Sequence, residues 1–193
     1  MKLVVGLGNP GAQYKGTRHN VGFEVLARLA ARFATATPRA RFQGETVEAT
    51  IAGQKALLLT PLTYMNLSGA SVLAARDFYK VENADLLVVC DDMNLPLAKL
   101  RLRAKGTSGG QKGLEDVIRR LGTDEISRLR IGIGIPPPGR DVTGYVLGRF
   151  TTEEQAEIQP ALDKAADAAV LWVEQGIGPA MNQYNAETTN RNG

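Results

Sequence analysis

Two short apolar runs constrain the fold more than any other feature. Lys2–Leu7 (KLVVGL) and Leu86–Cys90 (LLVVC) show no polar–apolar alternation. A strand that is apolar on both faces is covered on both faces, so each run reads as a strand in the interior of a sheet. Between and after them lie helical patterns. Phe23, Leu26, Ala30 and Phe33 recur at three- and four-residue spacing, widened by Val25 and Leu29. Strands interleaved with helices predict an α/β fold: a single three-layer domain with a mixed, mostly parallel sheet and helices on both faces.

The remaining elements follow the same logic. Phe42–Ile51 and Lys55–Thr60 read as two strands joined at Ala52-Gly53-Gln54, and Pro61 ends the second. A helix is expected from about Asn66 to Tyr79. Lys99–Lys105 alternates strictly, with Leu100, Leu102 and Ala104 facing one way and Lys99, Arg101, Arg103 and Lys105 the other. A glycine-rich loop (Gly106, Gly109, Gly110, Gly113) feeds a helix to about Leu121, and Gly122 stands where a helix terminates. Leu129–Ile135 is read as another strand, and Pro136-Pro137-Pro138-Gly139 as a loop. Thr151 and Glu154 form a capping-box pattern opening a long C-terminal helix, which Pro160 is positioned to kink. One domain is expected over residues 1–185, with 186–193 a flexible polar tail.

The chain of 193 residues is 44% hydrophobic and 22% charged, a composition suited to one globular core. No stretch approaches the ~18 apolar residues of a membrane span. The first apolar run is too short for a signal peptide. The single cysteine, Cys90, has no partner for an internal disulfide. Together these features favour the cytoplasm. The net charge is only +3, but it is unevenly placed. Residues 99–130 carry nine basic and four acidic side chains, a net +5 against −2 for the remainder. A basic region on a near-neutral chain suggests an anionic partner, although scattered charges are more often a solvated surface.

Three motif matches point in unproductive directions. Gly6-Leu7-Gly8-Asn9-Pro10-Gly11 fits G-x-G-x-x-G after a strand. A dinucleotide site requires the helix to open within that motif, whereas about nine turn-forming and polar residues intervene here. Gly106-Thr107-Ser108-Gly109-Gly110 fits a nucleophile elbow, which needs the order serine, acid, histidine. The sole histidine precedes Ser108, so only a triad of unusual order (His19, Asp91, Ser108) remains for a serine hydrolase. Cys90, at the end of an apolar strand, reads as a buried small hydrophobe rather than a nucleophile.

His19 follows a polar, glycine-rich loop and precedes a helix, and Asp91 ends a central strand, where α/β proteins place their sites. A carboxylate bonded to one imidazole nitrogen leaves the other free to take a proton from water. The alternative for Asp91-Asp92 is turn formation before Asn94 and Pro96. Asn9 and Asn66 are candidate neutral contacts. Backbone support in a tight turn and a helix N-cap are their respective structural alternatives. The cations at period two on the strand suit phosphate contact, and Arg128 and Arg130 repeat that spacing further on.

Taken together and in order, the segments Gly6–Gly11, Tyr14, Thr17–Asn20, Pro61–Gly69, Asp91-Asp92 with Leu95-Pro96, and Arg128–Gly134 resemble the bacterial-type peptidyl-tRNA hydrolases over nearly the whole chain. The resemblance implies a monomeric, cofactor-free and metal-free esterase that cleaves peptide from peptidyl-tRNA and recycles the tRNA. By the same resemblance His19 is the general base and Asp91 its orienting acid. Asn9 helps select N-blocked substrates, and Tyr14, Tyr64 and Asn66 line the 3′-end site. Arg103 and Arg130 clamp the tRNA 5′ phosphate. Two positions depart from the family pattern. Gln111-Lys112 stands where the family commonly has His-Asn, the asparagine being a substrate-site residue, and Ile135 stands where it often has histidine. Lys112 at that place supports a second expectation, a non-catalytic RNA-binding relative of the splicing type.

Overall fold

The computed structural model describes residues 1–186. In chain order the elements are β1 (Lys2–Gly6), α1 (Val21–Phe33), β2 (Arg39–Arg41), β3 (Gly44–Ile51), β4 (Gln54–Pro61), α2 (Ser68–Tyr79), β5 (Leu86–Asp92), β6 (Leu100–Arg103), α3 (Lys112–Leu121), β7 (Ser127–Gly132), α4 (Val142–Val146), α5 (Thr152–Gln175) and α6 (Ile177–Asn185). The seven strands form one sheet ordered β2-β3-β4-β1-β5-β7-β6. The central strands β4, β1, β5 and β7 are mutually parallel. β3 and β6 run against their neighbours, so the sheet is mixed and mostly parallel. Among the described residues no helix is long and apolar enough to cross a membrane.

The unalternating apolar runs are explained by the two faces of β1 and β5. Val4, Leu87 and Val89 join Val25, Leu29, Leu162 and Trp172 in a core beneath α1 and α5. Leu3, Val5, Leu86, Val88 and Cys90 pack on the other side with Val72 and Val117 of α2 and α3. Successive residues face opposite ways along a strand, so each residue of the run meets a helix layer.

Glycine sets how closely α1 lies on the sheet. A Cβ on Gly22 would fall 2.5 Å from both the Leu7 nitrogen and the Val89 carbonyl oxygen. A Cβ on Gly6 would in turn strike the Gly22 backbone, and one on Gly8 the Phe23 ring at 2.8 Å. The glycines of the G-x-G motif thus serve helix–strand contact, and α1 opens only at Val21, well beyond the motif. On the opposite face, buried Asp116 of α3 accepts the Gly69 N–H at 2.8 Å and pairs with Arg119 and Arg120. That contact fixes the start of α2 against α3.

Several elements differ from their sequence reading. Phe42 and Gln43, read as the start of a strand reaching Ile51, instead form a turn at φ 55° and 54° between β2, which was not expected, and β3. Neither is glycine or asparagine, so the turn carries none of the usual sequence marks. β7 starts at Ser127 and ends at Gly132, earlier than Leu129–Ile135. Its early start takes in Arg128, whose guanidinium is fully buried against the carbonyls of Ile126, Gly106, Thr107 and Asp124. The alternating strand stops at Arg103, leaving Ala104 exposed. A 3-10 turn, Met65–Leu67, precedes α2. The capping box at Thr151 and Glu154 is present, and α5 continues through Pro160 to end at Gly176. The short helix α4 was not expected. Of the tail expected at 186–193, all but Ala186 lies outside the described residues.

Replacing Gly22 with alanine should destabilise the protein by about 2–4 kcal/mol, because the added methyl meets two strand backbones that cannot both retreat. Gly178→Ala in α6, where a Cβ meets nothing within 4 Å, is the control and should be neutral or stabilising. Urea unfolding of both variants measures the difference, and equal midpoints would remove the close-approach argument.

Candidate active site

His19 sits on a 3-10 turn, Arg18–Asn20, directly before α1. Three contacts hold that turn. Arg18 is buried, lies 4.3 Å from the Tyr145 ring centroid and 5.3 Å from that of Phe150, and pairs with Glu154 at 2.8 Å. Its own N–H donates to the Gly148 carbonyl. Asn20 closes a reciprocal pair with the Asn9 backbone: its Oδ1 accepts the Asn9 N–H and its Nδ2 donates to the Asn9 carbonyl, both at 2.9 Å. The turn is thereby tied to the loop after β1 and to the start of α5.

Asp91 lies at the carboxyl end of β5, and its Oδ2 is 2.8 Å from His19 Nδ1. An ionised carboxylate only accepts, which places the ring proton on Nδ1 and leaves the Nε2 lone pair available. The neighbouring Asp92 faces the other way. Its Oδ1 accepts the Asn94 N–H at 2.8 Å, so the turn-forming role belongs to Asp92 and the histidine to Asp91.

A cavity of about 500 Å³ opens over this pair, lined by Asn9, Tyr14, His19, Tyr64, Asn66, Asp91 and Lys112 among others. Seven of the expected site residues therefore share one cavity. Asn9 Oδ1 accepts the Met65 N–H at 2.8 Å, which fixes the amide's orientation and leaves its nitrogen to donate to a ligand. The helix-cap alternative for Asn66 fails: α2 is preceded by Leu67 with no side-chain cap, and Asn66 is exposed at the cavity. Tyr64 is 59% exposed, a bare ring at the mouth. Lys112 stands at the start of α3 and makes only a solvent-exposed pair with Glu115 at 3.5 Å. Such a pair contributes little and is easily exchanged.

Arg103 and Arg130 lie outside the cavity, on β6 and β7. In that antiparallel pair Arg101 faces Arg130 and Arg103 faces Arg128 across the strands, so the two strands do lie adjacent. They are not equivalent cations. Arg103 is exposed. Arg130 donates to the Thr107 carbonyl and lies 3.4 Å from Asp92 Oδ2, and Gly109 packs on its guanidinium. Arg128 is a scaffold for the 106–110 loop, and its burial, then the nearby Arg130 charge, lowers its pKa.

Two candidate nucleophiles are corrected or set aside. Ser108 does not line the cavity, and its Oγ accepts the Gly110 N–H within its own loop, so no triad with His19 exists. Cys90 is buried on the α2–α3 face, where burial and the neighbouring Asp91 push its thiol well up. Sequence reasoning missed Gln111, whose side chain reaches Asp91, and it missed α4, which supplies Val142, Thr143 and Val146 to the cavity wall. Asn20 carried a signal, a polar residue next to the lone histidine, but its bond partner is eleven residues away.

A carboxylate-held histidine at the carboxyl edge of a mostly parallel sheet, open to a cleft with neutral amides and bare aromatic rings, marks an α/β hydrolytic enzyme. The sequence model of the family "Peptidyl-tRNA hydrolase" matches residues 3–192. A peptidyl-tRNA hydrolase of Rhodopirellula baltica is 51% identical, over 96% of this chain and 98% of that one. One of Chlorobaculum parvum is 49% identical over 96% and 98%. The crystal structure of peptidyl-tRNA hydrolase from Acinetobacter baumannii superposes with a TM-score of 0.89 at 39% identity, over 96% and 95% of the two chains. The chain belongs to the peptidyl-tRNA hydrolase family.

Cys90 should not react with a thiol reagent in the native protein and should react after denaturation. Rapid native labelling would contradict its burial.

Proposed function

We propose that this protein hydrolyses the ester bond of peptidyl-tRNA with His19 as general base. The observation that carries this is the 2.8 Å bond between His19 Nδ1 and Asp91 Oδ2, made by two residues that both line the cavity. Water attacks the ester carbonyl carbon and gives its proton to Nε2. The carbon–oxygen bond to the ribose then breaks, and the Nε2 proton passes to the ribose oxygen. The products are a peptide with a free carboxyl group and a tRNA with a free terminal hydroxyl. Asp91 holds the tautomer and steadies the transient imidazolium.

The other residues take roles set by what each has free. The Asn66 amide, unused in any cap, donates to the developing oxyanion. The Asn9 nitrogen, with its oxygen held by Met65, donates to the acyl carbonyl of an N-blocked substrate. A free α-ammonium at that place finds a donor where it needs an acceptor, which disfavours aminoacyl-tRNA. Tyr14 and Tyr64 offer rings for the terminal base to stack on. Lys112 supplies a point charge to a carbonyl or phosphate oxygen. Arg103 and Arg130 face the tRNA 5′ phosphate, Arg103 as the more available of the two.

Purified protein should release peptide from N-acetyl-aminoacyl-tRNA much faster than it deacylates the free aminoacyl form. His19→Ala should lose at least about a hundredfold in turnover. RNA binding without cleavage, or near wild-type turnover of His19→Ala, would overturn the reading. Arg103→Ala should flatten the slope of log K against log salt by about one unit or less. Arg130→Ala is the poorer probe, because it also releases the Thr107 carbonyl and Asp92.

A further inference from the structure

We propose that Gln111 is a positioning residue of the hydrolytic site, its amide holding the Asp91 carboxylate in the orientation that His19 requires. This rests on the assignment of His19 as base. Gln111 stands at the N-cap of α3 and is buried. Its Oε1 accepts the Leu114 N–H at 2.7 Å, and its Nε2 donates to Asp91 Oδ1 at 3.0 Å and lies 3.2 Å from Met65 Sδ. The orientation of the amide is not a free choice. Turned over, it would set a donor against the Leu114 N–H and an acceptor against the Asp91 carboxylate. The helix start thus dictates which end of Gln111 faces the acid.

The consequence for Asp91 is that each oxygen has one partner: Oδ1 takes Gln111 Nε2 and Oδ2 takes His19 Nδ1. Asp91 is almost fully buried, so losing that donor would leave its Oδ1 without a protein partner. The carboxylate would then turn, and the imidazole with it. Gln111 also bridges three elements that carry the site. These are the end of β5, the start of α3 and the 3-10 turn whose Met65 holds Asn9 and whose next residue is Asn66. Because the amide is neutral, it holds the acid without adding charge. The charged and titratable groups that line the same cavity are Asp91, Asp92, Lys112, Tyr14, Tyr64 and His19 itself.

Two variants separate this role from helix capping. Gln111→Ser keeps an acceptor for the Leu114 N–H, as a favoured N-cap residue, adds no charge and is too short to donate to Asp91. Gln111→Met loses both bonds and adds no charge. If Gln111 only caps α3, the serine variant should turn over normally. If it positions Asp91, both variants should lose about tenfold or more in kcat on N-acetyl-aminoacyl-tRNA, with KM within about twofold. Circular dichroism confirms which variants fold, and if the serine variant does not, the methionine variant decides. His19→Ala is measured alongside. If it retains wild-type turnover, the base assignment fails and this inference with it. If it is inactive while either folded Gln111 variant keeps kcat within twofold of wild type, the role of Gln111 alone is refuted.

Discussion

The backbone-to-backbone approach of α1 to the sheet at Gly6 and Gly22 underlies the rest of the structure. It seats the helix against both β1 and the end of β5, since Gly22 lies against Leu7 and Val89 alike. His19 is three residues before Gly22 and Asp91 two residues after Val89. The distance between base and acid is therefore set by how closely two pieces of backbone can pack. A side chain at either glycine would push the imidazole away from the carboxylate, however well the two were otherwise oriented.

Around that contact, each site residue is held by a partner from another element. Asn20 holds Asn9, Asn9 holds Met65, and Gln111 joins Met65 to Asp91. Arg18, stacked on Tyr145 and Phe150 and paired with Glu154, links the histidine turn to the capping box of α5. The capping box thus does more than start a helix, since Glu154 Oε2, which accepts the Thr151 N–H, also accepts from Arg18. Every buried donor and acceptor that is satisfied in this way limits the rotamers of its neighbour, which keeps a water-activating site in register.

The basic region divides into two kinds of cation. Arg128 and Arg130 support the 106–110 loop through backbone carbonyls, while Arg103 on the neighbouring strand stays exposed. An even spacing of arginines in the sequence thus covers both a buried scaffold and a surface charge. Two of the carbonyls that buried Arg128 satisfies, those of Gly106 and Thr107, come from a glycine-rich loop with no helix or strand to use them.

The class of fold was legible in the residues alone, because apolar runs without alternation need cover on both faces, and helical periodicity shows where that cover comes from. It also pointed to His19, since no other imidazole exists, and to Asp91, since strand ends in such folds carry sites. The family resemblance rested on motifs spread along nearly the whole chain. Other features became legible only in three dimensions. Arg128 looked like a surface charge because two of its four carbonyl partners, Gly106 and Thr107, lie 22 and 21 residues away. The Phe42–Gln43 turn was hidden because left-handed φ at non-glycine residues leaves no local mark. Gln111 read as a mere departure from a family pattern, and Ser108 as a possible nucleophile, because sequence carries no distances. The packing of helices on the sheet settled these points, because it selects which groups meet, and local spacing does not record that.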